Sequence, residues 1–282
     1  MAQPSGSFDT LAARDGIQLH CETFAVAGAR AGLVLVHGFA EHCGRYGRII
    51  QALNDAGISV MAYDARGHGK SSGTRAFVSS YSEYVDDLQD IVAKATQRFG
   101  GAPFVLGHSQ GGLVTLRYLD RAANSVRGAI LSNPALTNKI QVPLWKIALA
   151  HTASKLQPKL AVPTGLSGKD VSRDPEIQRE YDEDPLNCKA ATARWYTEFL
   201  GAQQEALARP GVLRSVPTLA VLGDGDRVID CAVSTKFFAQ ATGGDLTVKM
   251  YPGFFHELLN EPKPDRERVA ADIVTWLQEH IG

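Results

Sequence analysis

Read along its length, the chain alternates between two apolar patterns. Short runs in which neighbouring positions are nearly all apolar recur at "GLVLVHG" (32–38), "SVMAYD" (59–64), "APFVLGHS" (102–109), "GAILSNP" (128–134), "PTLAVLGDGD" (217–226) and "LTVKMYPG" (246–253). Runs of this kind predict strands covered on both faces. Between them, helical spacing predicts helices over about 45–56, 82–99, 111–122 and 266–280. The first two are each followed by glycine, which suits the left-handed residue beyond a helix end. Strand–helix alternation implies a mostly parallel sheet with helices on both faces, the α/β class. Segments 7–12 and 17–24 predict an antiparallel hairpin at the sheet edge.

The alternation breaks at 137–212, where "VPLWKIALAHTASKL", "DPEIQREYDEDPL" and "AATARWYTEFLGAQQEAL" are helical or loop-like, with no strand run. The expected organisation is therefore one α/β core in two pieces, 1–136 and 213–282, interrupted by a helical cap at 137–212.

Composition narrows the function. In 282 residues, 44% are hydrophobic and 21% charged, the balance of a globular protein with a sizeable core. Lys plus Arg is 29 and Asp plus Glu 30, so no basic surplus points to nucleic acid. The start, "MAQPSGSFDT", lacks a basic segment followed by an apolar one, so no signal peptide is expected. Cys21, Cys43, Cys188 and Cys231 are scattered without a C-x-x-C pair. They read as free thiols of a reducing cytoplasm, and no metal site or cofactor is expected. Oligomeric state is left open.

The chemistry concentrates at "GHSQGG" (107–112), a G-x-S-x-G between a predicted strand and a predicted helix. This is the pattern of a nucleophile elbow, whose glycines allow close approach while the serine takes a strained backbone conformation. Ser109 is the expected nucleophile. It needs a base and an orienting acid, which in this fold follow in the order serine, acid, histidine. His256 in "GFFHELLNEP" fits the base. His37, His42, His68 and His108 precede or adjoin the serine and do not fit; His151 lies in the insertion; His280 is expected to be solvated. For the acid, "DGDRVID" offers Asp224, Asp226 and Asp230. Asp226 is favoured as the loop residue able to turn back toward His256, Asp224 is the alternative, and Asp230 is expected to cap the helix near Ala232. A tetrahedral oxyanion needs two donors, expected to be the backbone N–H of Gln110 and of Phe39 in the loop after "LVLVHG".

"VHGFAEHCGRY", "YDARGHGKSSG", "GHSQGG", "DPL", "LGDGDRVID" and "GFFHELLNE" occur in an order and spacing that resemble the monoacylglycerol lipase and lysophospholipase branch of the α/β-hydrolases, from about Ala13 to Leu277. The resemblance implies an α/β-hydrolase fold and a Ser109–Asp226–His256 triad. It also implies that Glu41, Arg45 and Tyr181 line the polar end of a pocket for a glycerol-like head group. Gln110 departs from the methionine common at that position, and Phe39 stands where a small residue is common, which narrows the acyl side.

The expected activity is hydrolysis of carboxylic esters of glycerol-type lipids through an acyl-enzyme. An acyltransferase or aminopeptidase on the same triad, with Glu41 holding an α-amine, is the related alternative. A non-catalytic ligand-binding protein is the remote one. In the insertion, Leu144, Trp145, Ile147, Ala148 and Leu149 lie close together with Lys146 and Lys155 nearby. They could pack onto the core, the common role of such a face, or form the mouth of an acyl tunnel with transient contact to a lipid surface.

Overall fold

The computed structural model describes residues 6–139, 142–241 and 243–281. Residues 1–5, part of the stretch read for a leader, and 140–141, within the predicted insertion, lie outside it.

Eight strands form one sheet: β1 (Ser7–Ala12), β2 (Gln18–Phe24), β3 (Ala31–Val36), β4 (Ile58–Tyr63), β5 (Phe104–His108), β6 (Gly128–Ser132), β9 (Thr218–Gly223) and β10 (Leu246–Tyr251). Their order is β1-β2-β4-β3-β5-β6-β9-β10. The β1–β2 and β2–β4 pairs are antiparallel and the others parallel. This is the predicted hairpin edge on a parallel sheet.

The continuous apolar runs follow from burial on both sides. In β3, Leu33 and Leu35 enter one core cluster and Val34 and Val36 the other, because successive side chains point to opposite faces. The first cluster is closed by α1 (Gly47–Asp55) and α9 (Lys263–His280), and the second by α2 (Ser82–Phe99) and α3 (Gln110–Ala122). Each fully buried Leu, Val or Ile contributes on the order of 1.5–3 kcal/mol over exposure. Gly57 and Gly100 adopt the left-handed conformation expected of them, with φ of 77° and 74°. α8 (Cys231–Gln240) begins behind Asp230, whose side chain accepts from Ala232 N as expected.

Three local readings change. The helix expected from 45 opens as a 3-10 turn, Cys43–Tyr46, capped by the His42 side chain. The last helix starts at Lys263 rather than 266, because Pro264 sits in its first turn, where no N–H is missed. His280 is packed rather than solvated: its ring stacks on Trp276 at 4.2 Å and faces Asp245.

Between β6 and β9 lie α4 (Leu144–Leu156), α5 (Gly168–Val171), α6 (Pro175–Glu183) and α7 (Ala193–Leu207). The sequence pattern predicts no strand here, yet β7 (Ala161–Pro163) and β8 (Ala190–Thr192) pair as a short antiparallel ribbon outside the main sheet. At three residues each, they are too short to carry a recognisable alternation. No described helix is long and apolar enough to cross a membrane.

Candidate active site

The C-terminal ends of β3, β5, β6 and β9 carry the loops that build the site. β5 ends at His108 and α3 begins at Gln110, leaving Ser109 alone at the turn with φ 52° and ψ −118°. A non-glycine residue held there stores roughly 1–3 kcal/mol of strain. The surrounding glycines make the turn possible. A β-carbon on Gly107 would stand 2.5 Å from Gly111 O, and one on Gly112 2.8 Å from Pro134 Cβ. One on Gly111 would strike the Val36 carbonyl and stand 2.6 Å from His37 O.

His256 and Asp226 come to Ser109 from two other loops. Ser109 Oγ lies 2.8 Å from His256 Nε2, and His256 Nδ1 lies 2.7 Å from Asp226 Oδ2. All three residues are buried. Asp226 Oδ1 accepts from the backbone N–H groups of Val228 and Ile229 at 2.7 and 2.9 Å, so the carboxylate is locked in one orientation. Asp224 is exposed and accepts from Gly253 N, away from His256. Burial opposes protonation of His256, but Asp226, reinforced by Glu257 and Glu41, outweighs it and holds the imidazole above the usual histidine value. His108, 4.8 Å away ring to ring, is pushed down to about 3 by burial and by His256. It is neutral, with Nδ1 near the Ser132 carbonyl. The arrangement can move the serine proton onto His256 and stabilise the resulting cation.

The loop after β3 packs directly on the elbow. A β-carbon on Gly38 would lie 3.1 Å from Ser109 Cβ and 2.7 Å from Glu41 Oε1. Among the described residues, none accepts a backbone hydrogen bond from Phe39 N or Gln110 N, and the latter is the first amide of α3. His37 braces this loop: its Nε2 accepts from Ala65 N at 2.9 Å, so its Nδ1 donates to Gly38 O at 2.7 Å. Ala40 turns the loop at φ 67°.

The residues expected at the polar end form one buried network. Glu41 accepts from Gly38 N and Tyr46 OH at 2.6 Å and from Arg45 Nε at 3.2 Å. The Arg45 guanidinium lies 4.9 Å from the centre of the Tyr181 ring. Glu41 thus holds the Phe39 loop as well as Arg45. The stretch from Asp184 to Trp195 packs on these loops. Cys188 N donates to Ala40 O at 3.0 Å, His42 pairs with Asp184 at 2.9 Å, and Trp195 stacks on Phe39 at 3.9 Å.

Two residues of the network escape the sequence pattern. Asn133, at φ 39°, donates to His256 O at 2.8 Å and accepts from Gly223 N at 2.9 Å, tying the base loop to two strand ends. Its only signal was a polar residue closing an apolar run before proline. Glu257 donates its backbone N–H to Val171 O at 2.8 Å and accepts from Arg45 Nη2 at 2.6 Å, and a lone acid beside a histidine gives no hint of that partner.

Away from the serine, His20, Cys43 and Asp64 bring three potential metal-donor atoms within 4.8 Å of one another. Their donors are committed elsewhere. Asp64 accepts from Cys43 N and Lys70 N, His20 pairs with Glu22, and burial pushes the Cys43 thiol well up, against the thiolate a metal needs.

Residues 27–263 match the family described as serine aminopeptidase, S33. A monoacylglycerol lipase of Mycolicibacterium smegmatis is 36% identical over 89% of each chain. Phospholipase YtpA of Bacillus subtilis is 29% identical over 89% of this chain and 96% of its own. The crystal structure of Paleococcus ferrophilus monoacylglycerol lipase superposes with a TM-score of 0.85, at 32% identity, over 93% of this chain and 99% of that one.

Proposed function

The chain belongs to the serine aminopeptidase S33 family, and we propose that within it the protein is a carboxylic ester hydrolase of glycerol lipids that works through Ser109, His256 and Asp226. The observation that carries the mechanism is the buried relay of 2.7 and 2.8 Å contacts ending on a serine with positive φ. Ser109 Oγ attacks the ester carbonyl as His256 Nε2 takes its proton. The oxyanion is met by the N–H groups of Phe39 and Gln110, each worth about 100- to 1,000-fold in rate. The imidazolium then protonates the leaving glycerol oxygen, freeing the alcohol and leaving the acyl group on Ser109. Water, deprotonated by the same histidine, releases the fatty acid.

Segment 137–212 serves as the cap, and Glu41, Arg45 and Tyr181 form the head-group end. On the outer side of the cap, Leu144, Trp145 and Leu149 are 83%, 65% and 61% exposed. No acid occurs between 137 and 169, where five lysines lie. This face makes transient contact with lipid surfaces. Four buried, unpaired cysteines fit a cytoplasmic setting.

The test is a substrate panel of monoacylglycerols, lysophospholipids and amino-acid arylamides. Hydrolysis confined to the esters supports the reading. Turnover of arylamides above the esters would replace it with an aminopeptidase.

A further inference from the structure

Arg45 is held from two sides. Its Nε donates to Glu41 Oε2 at 3.2 Å and its Nη2 to Glu257 Oε2 at 2.6 Å. All three side chains are more than nine-tenths buried. Glu257 also accepts from Asn260 Nδ2 at 3.0 Å. One guanidinium is therefore shared by two carboxylates. The remaining ionisable neighbours do not reverse the balance. Asp226 faces His256 and Asp184 pairs with His42, while Lys189, which donates to the Tyr181 and Asp182 carbonyls at 3.2 and 3.0 Å, is exposed, so solvent screens its charge where the three buried groups are shielded from water.

The cluster adjoins the Ser109–His256 pair. His256 delivers the proton to the leaving oxygen, and Glu257 is the next residue in the chain. Gly38 lies between the Glu41 carboxylate and Ser109, as the β-carbon distances show. Buried charges are poorly screened, so their field reaches a bound head group without direct contact.

We propose that Glu257 is a specificity-determining residue whose carboxylate over-balances Arg45, so that the leaving-group end takes an uncharged polyol and rejects a phosphate-bearing head group. The assignment rests on the glycerol-ester reading above and adds to it which glycerol esters are cleaved. Glu257 needs no contact with the substrate: it acts by its charge and by holding Arg45.

The experiment compares kcat/KM for a monoacylglycerol and for its 3-phosphate with the same acyl chain, using the full-length protein at pH 8. A p-nitrophenyl ester of that chain reports the chemistry without a head group. The parent should prefer the uncharged ester by about a hundredfold. Glu257→Gln, which is isosteric and can still accept from Arg45 and Asn260, should cut that preference about tenfold. It should also move the acid limb of the pH profile downward, because a carboxylate beside His256 is gone. Equal cleavage of the two lipids by the parent overturns this proposal alone, whether or not the variant folds. So does a Glu257→Gln effect equal on both lipids. If the parent cleaves the p-nitrophenyl ester but neither lipid, the glycerol-ester reading falls and takes this proposal with it.

Discussion

Replacing Asp226 by asparagine tests the orientation of the relay, and the structure says how the defect arises. Asp226 Oδ1 is held by two backbone donors, Val228 N at 2.7 Å and Ile229 N at 2.9 Å. In Asp226→Asn the amide oxygen must stay with those donors, because an NH2 group there would set donor against donor. The NH2 group is then turned toward His256 Nδ1, which has to accept. The ring proton moves to Nε2, the atom 2.8 Å from Ser109 Oγ. A protonated Nε2 cannot take the serine proton. By analogy with serine proteases the loss in kcat is about 10⁴-fold, or about 5 kcal/mol of transition-state stabilisation. Asp224→Asn touches only an exposed contact to Gly253 N, so its effect should stay within about 0.5 kcal/mol. The assay is steady-state hydrolysis of a soluble p-nitrophenyl ester by both variants, with melting temperature as the folding control. Similar rates for the two variants, or a larger loss at Asp224, would refute the reasoning.

The pH profile follows from His256. Its pKa is raised, and only the neutral ring accepts the serine proton, so kcat/KM should fall as pH drops through a value above the ordinary histidine pKa of about 6.5; an acid limb well below that contradicts the electrostatics drawn here. Gly111→Ala forces a β-carbon onto the Val36 and His37 carbonyls, both backbone, and should cost at least about 1–3 kcal/mol in thermal or denaturant unfolding, whereas an unchanged midpoint would mean that the elbow is loosely packed. Trp145→Ser with Leu149→Ser should weaken sedimentation with phosphatidylglycerol vesicles and slow hydrolysis of vesicle-borne monoacylglycerol more than that of a soluble ester; equal effects on both would return α4 to a purely structural role.

How much was legible beforehand depended on whether a signal was local. Two-sided burial writes itself into β3, β4 and β5 as unbroken apolar runs, and the elbow declares itself because Gly107, Gly111 and Gly112 must admit neighbouring backbone or side chain. The preference for Asp226 over Asp224 came from loop length, and the structure brings Asp226 to the histidine. What was hidden is what requires partners far apart in sequence. The Arg45–Glu257 pair spans 212 positions, and Asn133 reaches a loop 123 residues on. Neither leaves a periodic trace. β7 and β8 are too short for one, and Asp245, which faces His280, is brought near it only by the fold.

The proposed mechanism turns on Ser109 as the residue that carries the acyl group. The measurement that bears on it most directly is intact-mass and peptide mapping after exposure to a fluorophosphonate, run on the parent and on Ser109→Ala alongside monoacylglycerol hydrolysis. The parent should gain one adduct, on Ser109, and lose activity in proportion. The variant should fold with an unchanged melting temperature, take up no adduct and hydrolyse no ester beyond the residual left by binding and the oxyanion donors. An adduct mapped to another residue, or hydrolysis by Ser109→Ala at the parent rate, would contradict the account.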